Sequence, residues 1–564
     1  MAETAETGET TRGLLPRSPR HEQMFPKLTP AQIERIRAHG KTRAVERGEV
    51  LVEVGDAELP FFAVSRGQIE IVQSSDAGEK LVAIHEPGDF TGEVTMLSGR
   101  RSLVRARMSE PGELIELSRD ELLRLVQTDA ELGELFMRAF ILRRVELIAQ
   151  GLGDVVLIGS VHCAGTLRVK AFLTRNGHPY TYVDLDHEAT VQTLLDRFHV
   201  GVEDVPVLIC RGEVVLKNPS NHEIAECLGF NPSLDQAQIH DLVVVGAGPA
   251  GLASAVYGAS EGLEVLVIEA NAPGGQAGSS SKIENYLGFP TGISGQALAA
   301  RAHTQAQKFG ARILIANTAA KLGCTQKPYT IDVDDARSVA ARTVIIASGA
   351  EYRRLAVSNL AQFEGAGVYY GATFVEAQLC EGEDVIVIGG GNSAGQAAVF
   401  LAQRTKHVHM LVRATGLAET MSRYLIRRIE ENPAITLRTC TEVTALEGDG
   451  HVERVVLRDN RTGAVETREL RHVFLMMGAT PATEWLHGCV ALDPKGFIKT
   501  GSDLTHEDLE AAKWPLGRPP FLLETSLPGV FAVGDVRGGS IKRVASAVGE
   551  GSISISFVHR VLAE

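Results

Sequence analysis

The chain has 564 residues, 44% hydrophobic and 22% charged, with a net charge of −14. Its length exceeds what one hydrophobic core supports and predicts three or four domains. The acidic balance without a Lys/Arg run argues against nucleic acid or an anionic membrane surface as partner, and no apolar stretch approaches the roughly 18 residues of a membrane span.

Residues 1–23 are polar with no apolar core segment and read as a disordered tail, not a signal peptide. At Leu28-Thr29-Pro30-Ala31-Gln32-Ile33 a helix begins. Thr29 and Gln32 form a capping box, Pro30 suits the first helical position, and Leu28 can staple onto Ile33. After Gly40, alternating runs separated by glycine turns (GEVLVEVGD, FFAVSRGQIEIVQ, KLVAIHEPGDF, GELIELS) predict an antiparallel jelly roll or barrel, and a helical stretch over about 129–150 leads out of it. The run Gly88-Asp89-Phe90-Thr91-Gly92-Glu93, with Arg100-Arg101-Ser102 after it, resembles the cyclic-nucleotide-binding domain, and the likeness covers about 24–150. It implies a ligand site at Gly92, Glu93, Arg100 and Arg101, where Glu93 accepts a ribose hydroxyl and Arg100 pairs with the cyclic phosphate. Arg101 stands where the family has small residues, so the reading is left open between a cyclic-nucleotide pocket, a site for a dinucleotide or another phosphate-rich regulator, and a degenerate scaffold that only docks.

Residues 151–232 alternate strand and helix: VVLIGS, GTLRVKAFLTRNG, YTYVDLD, EATVQTLLDRFHV, VPVLIC, EVVLK, NHEIAECLG. That order resembles a thioredoxin or glutaredoxin domain. The likeness puts Cys163 at the helix N-terminus where the family carries C-x-x-C, and Val205-Pro206 on the cis-proline. Thr166 replaces the resolving cysteine. Cys163, with His162 beside it, is the one candidate catalytic residue, since a helix N-terminus favours a thiolate. The alternative is a docking module in which Cys163 merely packs, as Cys210 is expected to.

A linker, 233–240, leads to DLVVVGAGPAGLASAVYGASEGLEVLVIEA. Here a strand enters Gly246-x-Gly248-x-x-Gly251, a helix follows through Pro249 and Ala250, and a second strand ends at Glu269. The glycines serve the tight turn, the approach of a pyrophosphate and the helix–strand contact, while Glu269 is placed for ribose hydroxyls. The pattern repeats as DVIVI, Gly389-Gly390-Gly391-Asn392-Ser393-Ala394, a helix, and a strand ending in Val412-Arg413. An Arg there favours the 2′-phosphate of NADPH, the alternative being a solvated strand end; Arg423, Arg427 and Arg428 are further candidates. Ala347-Ser348-Gly349 marks the chain's exit from the first fold. Near the end, Gly534-Asp535 follows an apolar strand, and Arg543-Val544-Ala545 opens a helix of small residues; Asp535 suits the ribityl–phosphate end of a flavin and the helix start its pyrimidine edge.

With Gly274-Gly275-Gln276 and Ile283-Glu284-Asn285-Tyr286, these motifs resemble low-molecular-weight thioredoxin reductase from Asp241 to Glu564. The likeness implies a homodimer and an FAD domain, 241–358 and 481–564, split by an NADPH domain, 359–480, that rotates against it. Gly275, Gln276 and Asn285 then join the FAD set, and Gly389, Gly391, Asn392, Ser393, Ala394 and Arg413 form the NADPH set. One departure decides the chemistry: Gly371 and Phe374 stand where the family carries its redox dithiol, and neither can attack or resolve a disulfide. The expected fold class is thus multidomain: an all-β jelly roll with flanking helices, an α/β thioredoxin-like domain and two Rossmann-like three-layer domains. The expected activity is NADPH-dependent flavin reduction, regulated by a nucleotide, with electrons passing to a quinone, an iron–sulfur protein, oxygen or a dye. Two alternatives stay open: disulfide reduction through Cys163 or an external disulfide, and a nonenzymatic redox sensor. Seven scattered cysteines without a C-x-x-C pair argue against a disulfide framework or a metal site and fit a cytoplasmic setting.

Overall fold

The computed structural model describes residues 21–56, 59–75, 78–92, 96, 101–149, 155–160, 163–185, 204–210, 214–235, 237–280, 282–283, 285–334, 337–357, 359–372, 374–418, 421–486 and 488–564. Helix α1 (Pro30–Arg37) starts on the expected capping box: Gln32 Oε1 accepts the Thr29 N–H at 2.8 Å and Thr29 Oγ1 accepts that of Gln32. Strands β1 (Lys41–Val45), β2 (Val50–Val52), β3 (Phe61–Ser75), β4 (Gly78–His85) and β5 (Arg105–Leu117) form an antiparallel sheet of order β1-β5-β3-β4, with β2 also on β5. β1 has no alternation to announce it, since of KTRAV only Val45 is buried. Helices α2 (Arg119–Thr128) and α3 (Ala130–Ala149) close the module, α3 by packing Phe136 and Phe140 on Phe90.

Next comes a mixed sheet of order β7-β6-β8-β9, built from β6 (Val155–Gly159), β7 (Thr181–Asp184), β8 (Val207–Cys210) and β9 (Val214–Lys217), with β6 and β7 parallel and the other pairs antiparallel. Helices α4 (Ala164–Arg175) and α5 (Asn221–Cys227) accompany it. The helix expected over EATVQTLLDRFHV lies outside the described residues. Val169, Phe172 and Leu173 of α4 are buried in the same apolar cluster as Leu242, Ala255 and Ile313, so this module and the next share a core.

The first dinucleotide fold is a seven-stranded sheet of order β12-β11-β10-β15-β14-β13: β10 (Ile239–Val245), β11 (Val265–Glu269), β12 (Arg312–Ile315), β13 (Ala319–Gly323), β14 (Tyr329–Val333) and β15 (Arg337–Ile346), with the late strand β26 (Val530–Ala532) on β15. The strands around β10 run parallel, as buried Val/Ile/Leu runs require, with α6 (Pro249–Ser260) as the crossover and α7 (Gly295–Lys308) following. An antiparallel pair, β16 (Ala350–Tyr352) with β25 (Ala479–Pro481), carries the chain out and back. Between them lies a parallel sheet of order β17-β24-β18-β19-β20, from β17 (Val368–Tyr369), β18 (Asp384–Ile388), β19 (His407–Leu411), β20 (Ile435–Arg438) and β24 (His472–Leu475), with α8 (Asn392–Leu401), α9 (Arg423–Glu430) and the antiparallel β21 (Thr441–Glu447), β22 (Arg454–Asp459) and β23 (Val465–Glu469). The last helix, α10 (Val544–Ala563), closes on α6 where Gly551 has no side chain: a Cβ there would fall 2.2 Å from the Ala250 carbonyl oxygen.

One expectation is corrected. Cys324 and Cys489, 165 residues apart, form a disulfide. The end of β13 and the segment that follows the inserted sheet meet on one core, and spacing along the chain carries no trace of that meeting. No described helix is long and apolar enough to cross a membrane.

Candidate functional site

The first cradle lies where β10 turns into α6. Gly246 has φ +103°, and a Cβ on it would fall 2.3 Å from the Ala347 carbonyl oxygen, so only glycine fits the turn. A Cβ on Gly251 would fall 1.8 Å from the Gly246 carbonyl oxygen, which is the helix–strand contact that its spacing predicts. Gly248 caps α6 and packs closely on Gly275: a Cβ on Gly275 would fall 3.0 Å from Gly248 Cα and one on Gly248 4.0 Å from Gly275 Cα, whereas one on Gly349 would meet nothing within 4 Å. Bare glycine backbone at the N-terminus of α6 fits the close approach of a pyrophosphate.

Glu269 ends β11 next to this turn and is 8% exposed. Its Oε2 accepts the Ala247 N–H at 2.7 Å, and its Oε1 accepts those of Asn271 at 2.9 Å and Ala272 at 3.1 Å. Burial pushes this carboxyl above the usual carboxylate range, and the three N–H donors together with the Arg175 charge oppose it. Pro249 and Ala250 open α6, Ala347 is buried behind the turn, and Gln276 donates to the Ala350 carbonyl; Asn285 is exposed.

At the far end, Gly534 and Asp535 follow β26, and Arg543 caps α10 ahead of Val544 and Ala545. Asp535 is half-buried and its carboxyl is pushed up by burial, against the pull of Lys542. Sequence reasoning missed Glu550: its Oε2 accepts the Gly534 N–H at 2.7 Å and its Oε1 pairs with Arg537 at 2.6 Å, which ties α10 to the Asp535 turn. Nothing periodic in the sequence points Glu550 back across those residues.

The second cradle repeats the first. Gly389 has φ +146°, with Met476 backbone 2.1 Å from where a Cβ would sit; Gly391 caps α8, Asn392 Oδ1 accepts the Ser422 N–H at 2.8 Å, Ser393 is exposed and Ala394 is buried. The Gly246 N–H donates to Ile268 and the Gly389 N–H to Leu411, so the residue that corresponds to Glu269 is Val412. Val412 is buried and Arg413 beside it is exposed. On α9, Arg427 pairs with Glu431 and Arg428 bonds Tyr424, whereas Arg423 opens the helix in an exposed position.

At the dithiol position, a Cβ on Gly371 would lie 3.9 Å from the Ser279 side chain of the first fold. Phe374 is 52% exposed, with the Arg404 guanidinium 4.6 Å from its ring centre. Nearby Cys380 is buried, and burial pushes its thiol up to about 12; the thiol donates to the Glu376 carbonyl at 2.7 Å. Cys163 caps α4 and is partly exposed. The Val205–Pro206 bond is cis, and a Cβ on Gly165 would fall 2.7 Å from Pro206. Thr166 is fully buried, and His162 lies outside the described residues.

In the N-terminal module a cavity of about 110 Å³ is bordered by Val82, Thr91, Gly92, Met96, Ser102 and Arg143 among others. Glu93 and Arg100 lie outside the described residues. Arg101 is not brought to this cavity and lies instead against Gly229 of the second module.

Residues 240–551 match the family model "Pyridine nucleotide-disulphide oxidoreductase", and residues 42–129 match "Cyclic nucleotide-binding domain". A thioredoxin reductase of Mycolicibacterium smegmatis is 33% identical over 332 residues, 58% of this chain and 97% of that protein. NADPH-dependent thioredoxin reductase 3 of Arabidopsis thaliana is 31% identical over 331 residues, 57% of this chain and 58% of that protein. Among solved structures, T. acidophilum thioredoxin reductase superposes with a TM-score of 0.51 at 29% identity, over 58% of this chain and 99% of that one. Lactococcus lactis thioredoxin reductase does so with 0.51 at 25% identity, over 57% and 99%.

Proposed function

The chain belongs to the pyridine nucleotide-disulphide oxidoreductase family, in the thioredoxin reductase branch that uses FAD and NADPH, and from that premise we propose that it is an NADPH-dependent flavin oxidoreductase serving an acceptor other than thioredoxin. Gly246, Gly248, Gly251 and the start of α6 would hold the FAD pyrophosphate, Glu269 its ribose, and Asp535 with the start of α10 its flavin end. Gly389, Gly391, Asn392, Ser393 and Ala394 would hold NADPH, with Arg413 taking the 2′-phosphate where Val412 replaces an acid. When bound, the pair supplies hydride transfer from nicotinamide to flavin. The chain's own part is to fix both dinucleotides, to keep Glu269 out of water and to brace the Asp535 turn through Glu550.

The observation that carries the acceptor is the pair Gly371 and Phe374. A relay to thioredoxin needs one thiolate to attack and a second thiol to resolve. Glycine and an exposed phenylalanine offer neither, and Cys380 keeps its proton. Electrons would then leave to a quinone, an iron–sulfur protein or oxygen. The match of residues 42–129 to a cyclic nucleotide-binding domain supports regulation by a cyclic nucleotide, which requires that the ligand bind the working arrangements with different affinity.

The test is steady-state NADPH oxidation with a dye, a quinone, a ferredoxin-type protein and thioredoxin as acceptors, with and without cAMP and cGMP. Sustained turnover with a non-disulfide acceptor and none with thioredoxin is expected, unchanged in Cys163→Ser. Turnover with thioredoxin that Cys163→Ser abolishes would overturn the reading. A flavin that is reduced once and stalls with every acceptor would favour the sensor.

A further inference from the structure

We propose that Arg175, the last residue of α4 in the second module, is a positioning residue of the FAD site. The inference rests on the reading that the first cradle holds FAD, and adds a residue from outside the dinucleotide fold. Glu269 leads into the segment 270–275, which forms the edge of the cradle and has no neighbouring strand to hold it. Its backbone is unusual: Gly274 has φ +106° and Gly275 φ +52°, and Gly275 packs on Gly248 at the α6 N-terminus, where a Cβ on it would fall 3.0 Å from Gly248 Cα. Arg175 Nη2 donates to the Gly275 carbonyl at 2.9 Å and reaches the Ala272 carbonyl at 3.4 Å. One cation therefore fastens the segment at Ala272, ahead of the left-handed turn, and at Gly275 within it.

Two consequences follow for the cofactor. Gly275 is held against Gly248, alongside the Gly274 N–H that donates to the Ala247 carbonyl at 2.7 Å, so the edge of the cradle at the α6 N-terminus is set before FAD arrives. The Arg175 charge also lies close enough to oppose the effect of burial on Glu269, which favours the ionised form that two ribose hydroxyls can bond. Arg175 is itself held in place. Arg144 of α3 donates to the Gly177 carbonyl just beyond the end of α4, at 2.7 Å through Nη2, and Gln296 of α7 donates to the Thr174 carbonyl at 2.7 Å. The bond to Gly275 is thus made from a helix end anchored on two sides, and less side-chain freedom is lost when FAD binds.

The experiment uses the full chain, stripped of flavin and titrated with FAD. It reads the dissociation constant by flavin fluorescence, and hydrogen exchange of the 270–278 amides without cofactor. Arg175→Ala is expected to weaken FAD about tenfold or more, the scale of losing a charge-assisted bond, and to speed exchange in 270–278. Arg175→Lys, which keeps the charge and a donor, is expected to recover most of the affinity. Gln296→Ala, which loosens one anchor of the same helix end and leaves the Arg175–Gly275 bond in place, is expected to weaken FAD far less than Arg175→Ala. Should Arg175→Ala fail to fold, Arg175→Gln reads the same loss. Unchanged FAD affinity in Arg175→Ala, or an equal loss in Gln296→Ala, would overturn the proposal and leave the cofactor assignment standing. A parent protein that binds no FAD at all would overturn both.

Discussion

Arg143 and Arg144 are consecutive residues of one helix that hold two different modules. Arg143 Nη1 donates to the carbonyls of Phe90 at 3.1 Å and Gly92 at 2.8 Å, at the turn bordering the N-terminal cavity. Arg144 donates through Nε at 3.1 Å and Nη2 at 2.7 Å to Gly177, past the end of α4. Successive positions on a helix differ by about 100°, so a single turn of α3 can face both ways. Whatever shifts the Gly92 turn is one residue from whatever fixes the second module.

Arg144→Ala is accordingly expected to cost about 1.5–3 kcal/mol at the α3–α4 junction, since the guanidinium is buried and its carbonyl partner loses both donors. Thermal unfolding of the parent and the variant reads it. If cyclic nucleotides alter NADPH oxidation, the ratio of rates with and without nucleotide should also shrink in the variant. A variant with parent stability and an intact nucleotide effect would show the junction to be idle.

Gly371→Cys combined with Phe374→Cys is expected to create thioredoxin-reducing activity that the parent lacks. Gly371 has room, its nearest neighbour lying 3.9 Å from a Cβ, and Phe374 is exposed, so neither replacement disturbs a packed core. The assay is NADPH oxidation driven by oxidised thioredoxin. Equal rates in parent and variant would remove the dithiol position from the account of the acceptor.

Arg413→Ala is expected to raise KM for NADPH about tenfold while leaving NADH nearly unchanged, because the lost partner is a charge-assisted bond to the 2′-phosphate. Steady-state kinetics with both coenzymes decide it. Equal effects on the two would assign Arg413 to the solvated strand end.

His409 makes the pH prediction. It is buried on β19 and accepts from Arg468 at 3.3 Å; burial first, then the Arg468 charge, lowers its pKa to about 4 against the pull of Asp384. The unfolded imidazole takes its proton near pH 6.5, so this depressed group contributes stability above that pH and loses it as pH falls towards about 4. The melting temperature of the parent should therefore fall relative to that of His409→Gln across this window. A difference between the two that does not change with pH would contradict the burial argument.

The bridge between Cys324 and Cys489 leaves five free cysteines, 163, 210, 227, 380 and 440. Thiol titration in denaturant is expected to count five before reduction and seven after it. Cys489→Ser should cost about 2–4 kcal/mol, as expected for a native bridge closing a long loop. Seven thiols before reduction would place both cysteines in the thiol state.

The sequence by itself determined the parts governed by local backbone chemistry. The Thr29–Gln32 capping box, the turns at Gly246 and Gly389, the helix starts at Gly248, Gly391 and Arg543, and the acid at Glu269 against its absence at Val412 all depend on residues a few positions apart or on one strand–turn–helix unit. Their spacing is their geometry. β1 was illegible because a strand of small and polar residues gives no alternation to read. Tertiary structure alone decided the contacts that join units: Glu550 on the Gly534 N–H, the Cys324–Cys489 bridge, Arg101 against Gly229, and Arg175 on Gly275 from another module. Each depends on where two separately formed elements come to rest, which the packing of their buried faces sets and no local pattern encodes.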